Sequence, residues 1–153
     1  MLNYEDFKNH IADVAAAVQA TENKIQNLQT ELNTQRLLQK RCDVYRHCRN
    51  IVLAEEKALN KNAYRKKHQA EYQLHDATLQ ELSEFGIKKL PSQEKLQKQI
   101  QKLENELSAV QKEHLQLQAD QRTLHIVQSN FSSMFHDTDI LPDLSSGNTE
   151  QSI

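Results

Sequence analysis

Residues 92–135 read SQEKLQKQIQKLENELSAVQKEHLQLQADQRTLHIVQSNFSSMF. Within this stretch Leu96, Ile100, Leu103, Leu107, Val110, His114, Leu117, Gln121, Leu124, Gln128, Phe131 and Phe135 alternate four and three residues apart. That spacing places them on one stripe of a helix, about 60 Å long at the usual rise per residue. The polar seam members His114, Gln121 and Gln128 weaken burial but fix register against other pairings. A second seam opens the chain: Phe7, Ile11, Val14, Val18, Thr21, Ile25, Leu28 and Leu32 step the same way. Neither helix can bury its stripe alone. Folding one back on the other is the economical solution, so the sequence predicts an all-α, elongated antiparallel helical hairpin or coiled coil of two long helices. The same heptads would also serve a homodimer.

The remaining elements follow from breaks in this pattern. Asn3 can cap the first helix, Glu5 and Asp6 favour its positive start, and Leu2 can staple onto Phe7. After Leu32 the next apolar set is Leu38, Cys42, Tyr45 and Val52, one residue out of step, which shifts the seam to another face. Asn60 and Asn62 flank Lys61 and supply caps, marking a break near 58–62. A shorter middle helix then covers about 61–85, with Tyr64, His68, Tyr72 (or Glu71), His75, Leu79, Leu82 and Phe85 inward. Gly86 ends it with a left-handed cap, and Ser92 after Pro91 starts the last helix. So short a connection predicts antiparallel neighbours. The expected spans are therefore about 4–58, 61–85 and 92–135 in a helical module over 1–135. Residues 136–153, HDTDILPDLSSGNTEQSI, lose all periodicity and read as a flexible tail.

Composition agrees. In 153 residues, 37% hydrophobic and 5% aromatic with no Trp, two Gly and two Pro, there is too little bulk for a thick globular core. No run of about 18 apolar residues could span a bilayer, and MLNYEDFKNH lacks the regions of a signal peptide. The cytoplasm is the expected compartment. Cys42 and Cys48 point in different directions on one helix and cannot pair with each other, so reduced thiols are expected. The net charge of -2 conceals a segregation. Residues 36–67 hold ten Lys or Arg against Asp43, Glu55 and Glu56, a local charge of +7 between acidic flanks.

Tyr45-Arg46, Tyr64-Arg65-Lys66-Lys67-His68, Glu71, His75-Asp76-Ala77, Gly86-Ile87-Lys88-Lys89-Leu90-Pro91 and Asn130 occur in an order with a known counterpart. Over about residues 20–135 the chain resembles the helical region that follows the nuclease domain in relaxases, the mobilisation nucleases of Gram-positive conjugative elements. His68 and His75 followed by Gly-Ile-Lys-Lys-Leu-Pro are the most specific part; the heptads would match many coiled coils. The resemblance implies a protein that nicks and carries one DNA strand with an N-terminal nuclease domain. That chemistry needs a tyrosine nucleophile and a metal held by clustered histidines, commonly two separated by one hydrophobic residue. His10, His47, His68, His75, His114, His125 and His136 include no such pair. The nicking activity is therefore not carried onto these residues, and a non-catalytic accessory role in mobilisation is expected.

His68 and His75 stand two turns apart, about 10 Å, too far to share a tetrahedral metal without another helix. Interhelical hydrogen bonding is the expected role, and Tyr45, Tyr64 and Tyr72 read as seam aromatics. No cofactor, metal or small-molecule substrate is expected, since a Gly-rich phosphate loop, zinc-type Cys/His spacing and a stacking platform are all missing. The basic bend carries the functional expectation. Arg41, Arg46, Arg49, Arg65, Lys66 and Lys67 are the candidate contacts to DNA phosphates, without base reading. The alternatives are a solvated face, an acidic protein surface such as a relaxosome or other transfer partner, or a coiled-coil interaction module unrelated to DNA.

Overall fold

The computed structural model describes residues 3–143, and every element among them is helical. Helix α1 is Tyr4–Ala54, followed by a single 3-10 turn at Glu55–Lys57. Helices α2 (Lys61–Lys67), α3 (Gln69–Glu84) and α4 (Gln93–Asp143) complete the fold. The all-α class follows. The chain divides into two compact units: one joins α1 up to Ile25 with α4 from Ser108, and the other is Gln26–Leu107.

In the first unit, Asn3 Oδ1 accepts the Asp6 N–H at 2.8 Å, the expected cap of α1. Leu2, the expected staple, lies outside the described residues. The predicted seams face inward. Val14, Thr21 and Val110 are buried, and Phe7, Ile11, Val18, Ile25, His114, Leu117, Gln121, Leu124, Gln128 and Phe131 are half-buried. Pairing Thr21 with His114 and Phe7 with Phe131 makes the helices antiparallel. The Thr21 hydroxyl has one proton; given to the Val18 carbonyl at 2.9 Å, it leaves Oγ to accept from His114 Nδ1 at 2.8 Å. A polar group in the seam is thus satisfied across the pair, which holds one register. Past Phe135, α4 continues to Asp143, into the stretch expected to be tail. Propagating a helix costs far less than starting one and needs no seam. Residues 144–153 of that expected tail, and the side chain of Phe135, lie outside what is described.

The second unit explains the shift of the α1 seam. Asp43 with Gln93, Gln39 with Gln97 and Arg36 with Glu104 set α4 antiparallel to α1. Tyr45 with His75 and Arg41 with Glu81 set α3 antiparallel to α1 as well. Helices α3 and α4 therefore run in the same direction, one after the other along α1, and are not the antiparallel neighbours expected from the short connection. Two features let the chain turn without reversing. Gly86, at φ 78, gives its N–H to Ser83 O at 2.9 Å, while Ile87 gives its own to Leu82 O at 3.1 Å. Ser92 Oγ then caps α4 through the Lys95 N–H at 3.1 Å. Where one partner helix hands over to the next, Leu38 and Cys42 of α1, Leu82 of α3 and Leu96 of α4 form one buried cluster, flanked by Tyr45, Ile87 and Leu90. The seam changes face at Leu38 because the helix it must meet changes there.

The middle helix also differs from expectation. It is interrupted at His68, whose φ of -108 and ψ of 27 leave the helical region, although the Tyr64 carbonyl still accepts the His68 N–H at 3.0 Å. The inner stripe is Tyr64, His68, Glu71, His75, Thr78 and Leu82, with Thr78 fully buried, while Leu79 and Phe85 are exposed. The Thr78 hydroxyl bonds the Leu74 carbonyl of its own helix at 2.8 Å, so it enters the interior satisfied. Cys42 and Cys48 are buried free cysteines, and burial raises both thiols above their ordinary range.

Candidate nucleic-acid interface

The six basic candidates all belong to the second unit, but they do not form one set. Arg41 Nε meets Glu81 at 2.9 Å. Arg46 donates to the Pro91 carbonyl and stands 3.5 Å from Asp43. The Arg49 guanidinium lies over the Tyr45 ring at 5.8 Å from its centroid. Arg41 thus ties α1 to α3 and Arg46 ties it to the turn before α4, while Arg49 stays within α1; all three are half-buried.

Arg65 is paired as well, although its side chain is 63% exposed. Its Nε and one terminal nitrogen grip both oxygens of Glu55, at 2.5 and 3.0 Å, a two-point geometry that Lys could not reproduce. Tyr72 donates its hydroxyl to the same carboxylate, and its ring lies under the Arg65 guanidinium at 5.9 Å. The hydrogen bond from Arg65, and then that from Tyr72, hold the Glu55 carboxyl down at about 2. Arg65 is correspondingly pushed up. Loss of solvent, then Glu55, pushes up the Tyr72 phenol. Nearby, Tyr64 donates to the Ile51 carbonyl at 2.5 Å. The 3-10 turn, α2 and α3 are thus clasped onto the end of α1.

Lys66 and Lys67 behave differently. Asn60 Oδ1 caps α2 through the Ala63 N–H at 3.0 Å, and both lysines fall in its last turn, where positive charge suits the helix end. Both are exposed, as are Lys57 and Lys61 at the start of the same excursion. No described side chain pairs with Lys66 or Lys67. The charge count alone could not separate these lysines from the arginines, because it ignores which acids lie opposite in space.

The two histidines are placed apart. His68 Nδ1 lies 3.1 Å from Glu71, which lowers that carboxyl, and its ring centroid is 4.4 Å from Tyr64. His75 stacks on Tyr45 at 5.1 Å and meets Asp76 at 3.1 Å. Each joins α2 or α3 to its surroundings through packing and a hydrogen bond. No helix among the described residues is long and apolar enough to cross a membrane. Compared with known proteins, the chain matches no family model, no curated protein and no solved structure.

Proposed function

We propose that the chain is a non-catalytic helical accessory region of a relaxase-type DNA mobilisation protein, one that positions DNA or transfer partners. The observation that carries the DNA contact is the division of labour among its cations. Arginines Arg41, Arg46, Arg49 and Arg65 are spent on internal contacts, while Lys66 and Lys67 stand exposed and unpaired at the end of α2. Flexible ammonium groups on a clasped helix suit phosphates, which need charge rather than a fixed donor fork. The resemblance supports the mobilisation context. Several residues that carry it hold the local fold, namely Tyr64 on Ile51, the Gly86 turn and Pro91 under Arg46, as a motif defining one helical arrangement would.

Fluorescence anisotropy with duplex and single-stranded oligonucleotides at two salt concentrations tests the DNA contact. Binding is expected to weaken steeply with salt, and a Lys66→Gln/Lys67→Gln variant to lower the slope of log K against log salt by about 1.4 on single strands, at about 0.7 per phosphate. No binding at low salt would overturn it. A second reading, a coiled-coil protein-interaction or dimerisation module unrelated to DNA, is favoured by the exposed Leu115, Ile126 and Val127 of α4. Sedimentation decides it: a concentration-dependent dimer or partner complex supports that reading, and a monomer at high concentration removes the dimer version.

A further inference from the structure

The first turns of α4 carry a second basic surface outside the charge-rich stretch of residues 36–67. Lys95, Lys98 and Lys102 follow at intervals of three and four, so they share one helical face. Together with Ser92, Glu94 and Gln99 they line one shallow concavity in the second unit. The helix cannot turn this face inward, because Gln93 and Gln97 are bound to Asp43 and Gln39 of α1, and Leu96 and Ile100 are buried. All six lining residues are exposed. Glu94 is the acid of the concavity and meets Lys98 at 3.0 Å, with both side chains more than three-quarters in solvent. Glu106, one turn beyond Lys102, bounds the lysine run.

We infer that Lys95, Lys98 and Lys102 form a track for the phosphodiester backbone of one nucleic-acid strand; this rests on the DNA-contact reading and extends it to a second site. From the first to the last lysine the helix rises about 10 Å, a reach of a few nucleotides, each of which adds about 3.4 Å of axis to its strand in a duplex. The flexible ammonium stems of such a run can reach roughly two or three neighbouring phosphates of one strand. With neither an aromatic ring nor an arginine fork in the concavity, it holds the backbone without reading or stacking bases. Glu94 acts as a local competitor: its carboxylate takes Lys98 and repels an incoming phosphate. Such an exposed pair is weak and opens readily.

The test uses the full chain and a labelled single-stranded oligonucleotide of mixed sequence, read by anisotropy across a salt series. Lys95→Gln/Lys98→Gln/Lys102→Gln is expected to weaken binding at least roughly tenfold at low salt and to reduce the salt slope by about 2. Glutamine matches lysine closely in helix propensity, so helicity by circular dichroism should be unchanged. Glu94→Gln should tighten binding roughly two- to fivefold, a gain that a merely structural role for these lysines would not produce. If the wild type binds and Lys66→Gln/Lys67→Gln weakens it while the α4 triple variant and Glu94→Gln leave it unchanged, the track is overturned and the α2 contact stands. A wild type that fails to bind at low salt overturns both. Preference of these lysines for a poly-glutamate peptide over the oligonucleotide would overturn the phosphate assignment alone.

Discussion

Replacing Leu82 by Ala and Leu79 by Ala should have very unequal consequences, although both leucines lie on α3 and both belong to the inner stripe that spacing predicts. Leu82 is 3% exposed, in the cluster with Leu38, Cys42 and Leu96, where three helical segments meet. Truncation there removes the transfer free energy of the lost methyl groups and leaves a cavity that three helices cannot easily close. The expected cost is about 3 kcal/mol. At about 2–4 °C per kcal/mol for a chain of this size, Tm should fall by about 6–12 °C. Leu79 is 48% exposed, so its truncation should cost less than about 0.5 kcal/mol, partly offset by the better helix propensity of Ala. Thermal melts followed at 222 nm, with urea titrations as a check, measure both. Equal destabilisation by the two variants would refute the placement of Thr78, rather than Leu79, on the inner face of α3.

Gly86→Ala should cost about 1–2 kcal/mol, because no heavy atom lies within 4 Å of the added Cβ and only the left-handed backbone is penalised. Urea unfolding measures this, and a neutral result would show that the turn relaxes to another conformation. The clasp on Glu55 predicts a pH dependence. Its folded-state value of about 2 lies below the ordinary 4.5, so its contribution is full above about 4.5 and disappears as pH falls to about 2. Melts of the wild type and Glu55→Gln should differ most near neutrality and converge toward pH 2; a gap of constant size across that range would rule out the clasp.

The two long seams were readable because heptad spacing is local information. Caps at Asn3, Asn60 and Ser92 and the turn at Gly86 were readable for the same reason, since each depends on one side chain or one backbone angle. What spacing could not supply was the partner. The out-of-step Leu38 was visible, but its cause, the change from α4 to α3 opposite α1, is a contact among segments distant in sequence. Spacing alone does not place Thr78 inward, because its hydroxyl reads as polar; the fold satisfies it with the Leu74 carbonyl. The basic bend was likewise only half legible: ten cations were countable, but which arginines meet Glu81, Pro91 or Glu55 depends on the fold. The intervals of Lys95, Lys98 and Lys102 are present in the sequence, but a balanced stretch of Lys and Glu raises no net charge, and only the fold shows that they share one exposed concavity.

The hand-over at Leu38 and Cys42 also bears on the order in which the chain can assemble. The clasp of α2 and α3 on α1 closes loops as short as the sequence separation of 10 from Glu55 to Arg65 and of 13 from Ile51 to Tyr64. The Arg36 to Glu104 pair spans 68 residues, and Thr21 to His114 spans 93. Because closure entropy rises with loop length, the clasp is the cheapest nucleus. It can also form on a ribosome before the later half of α4 has been made.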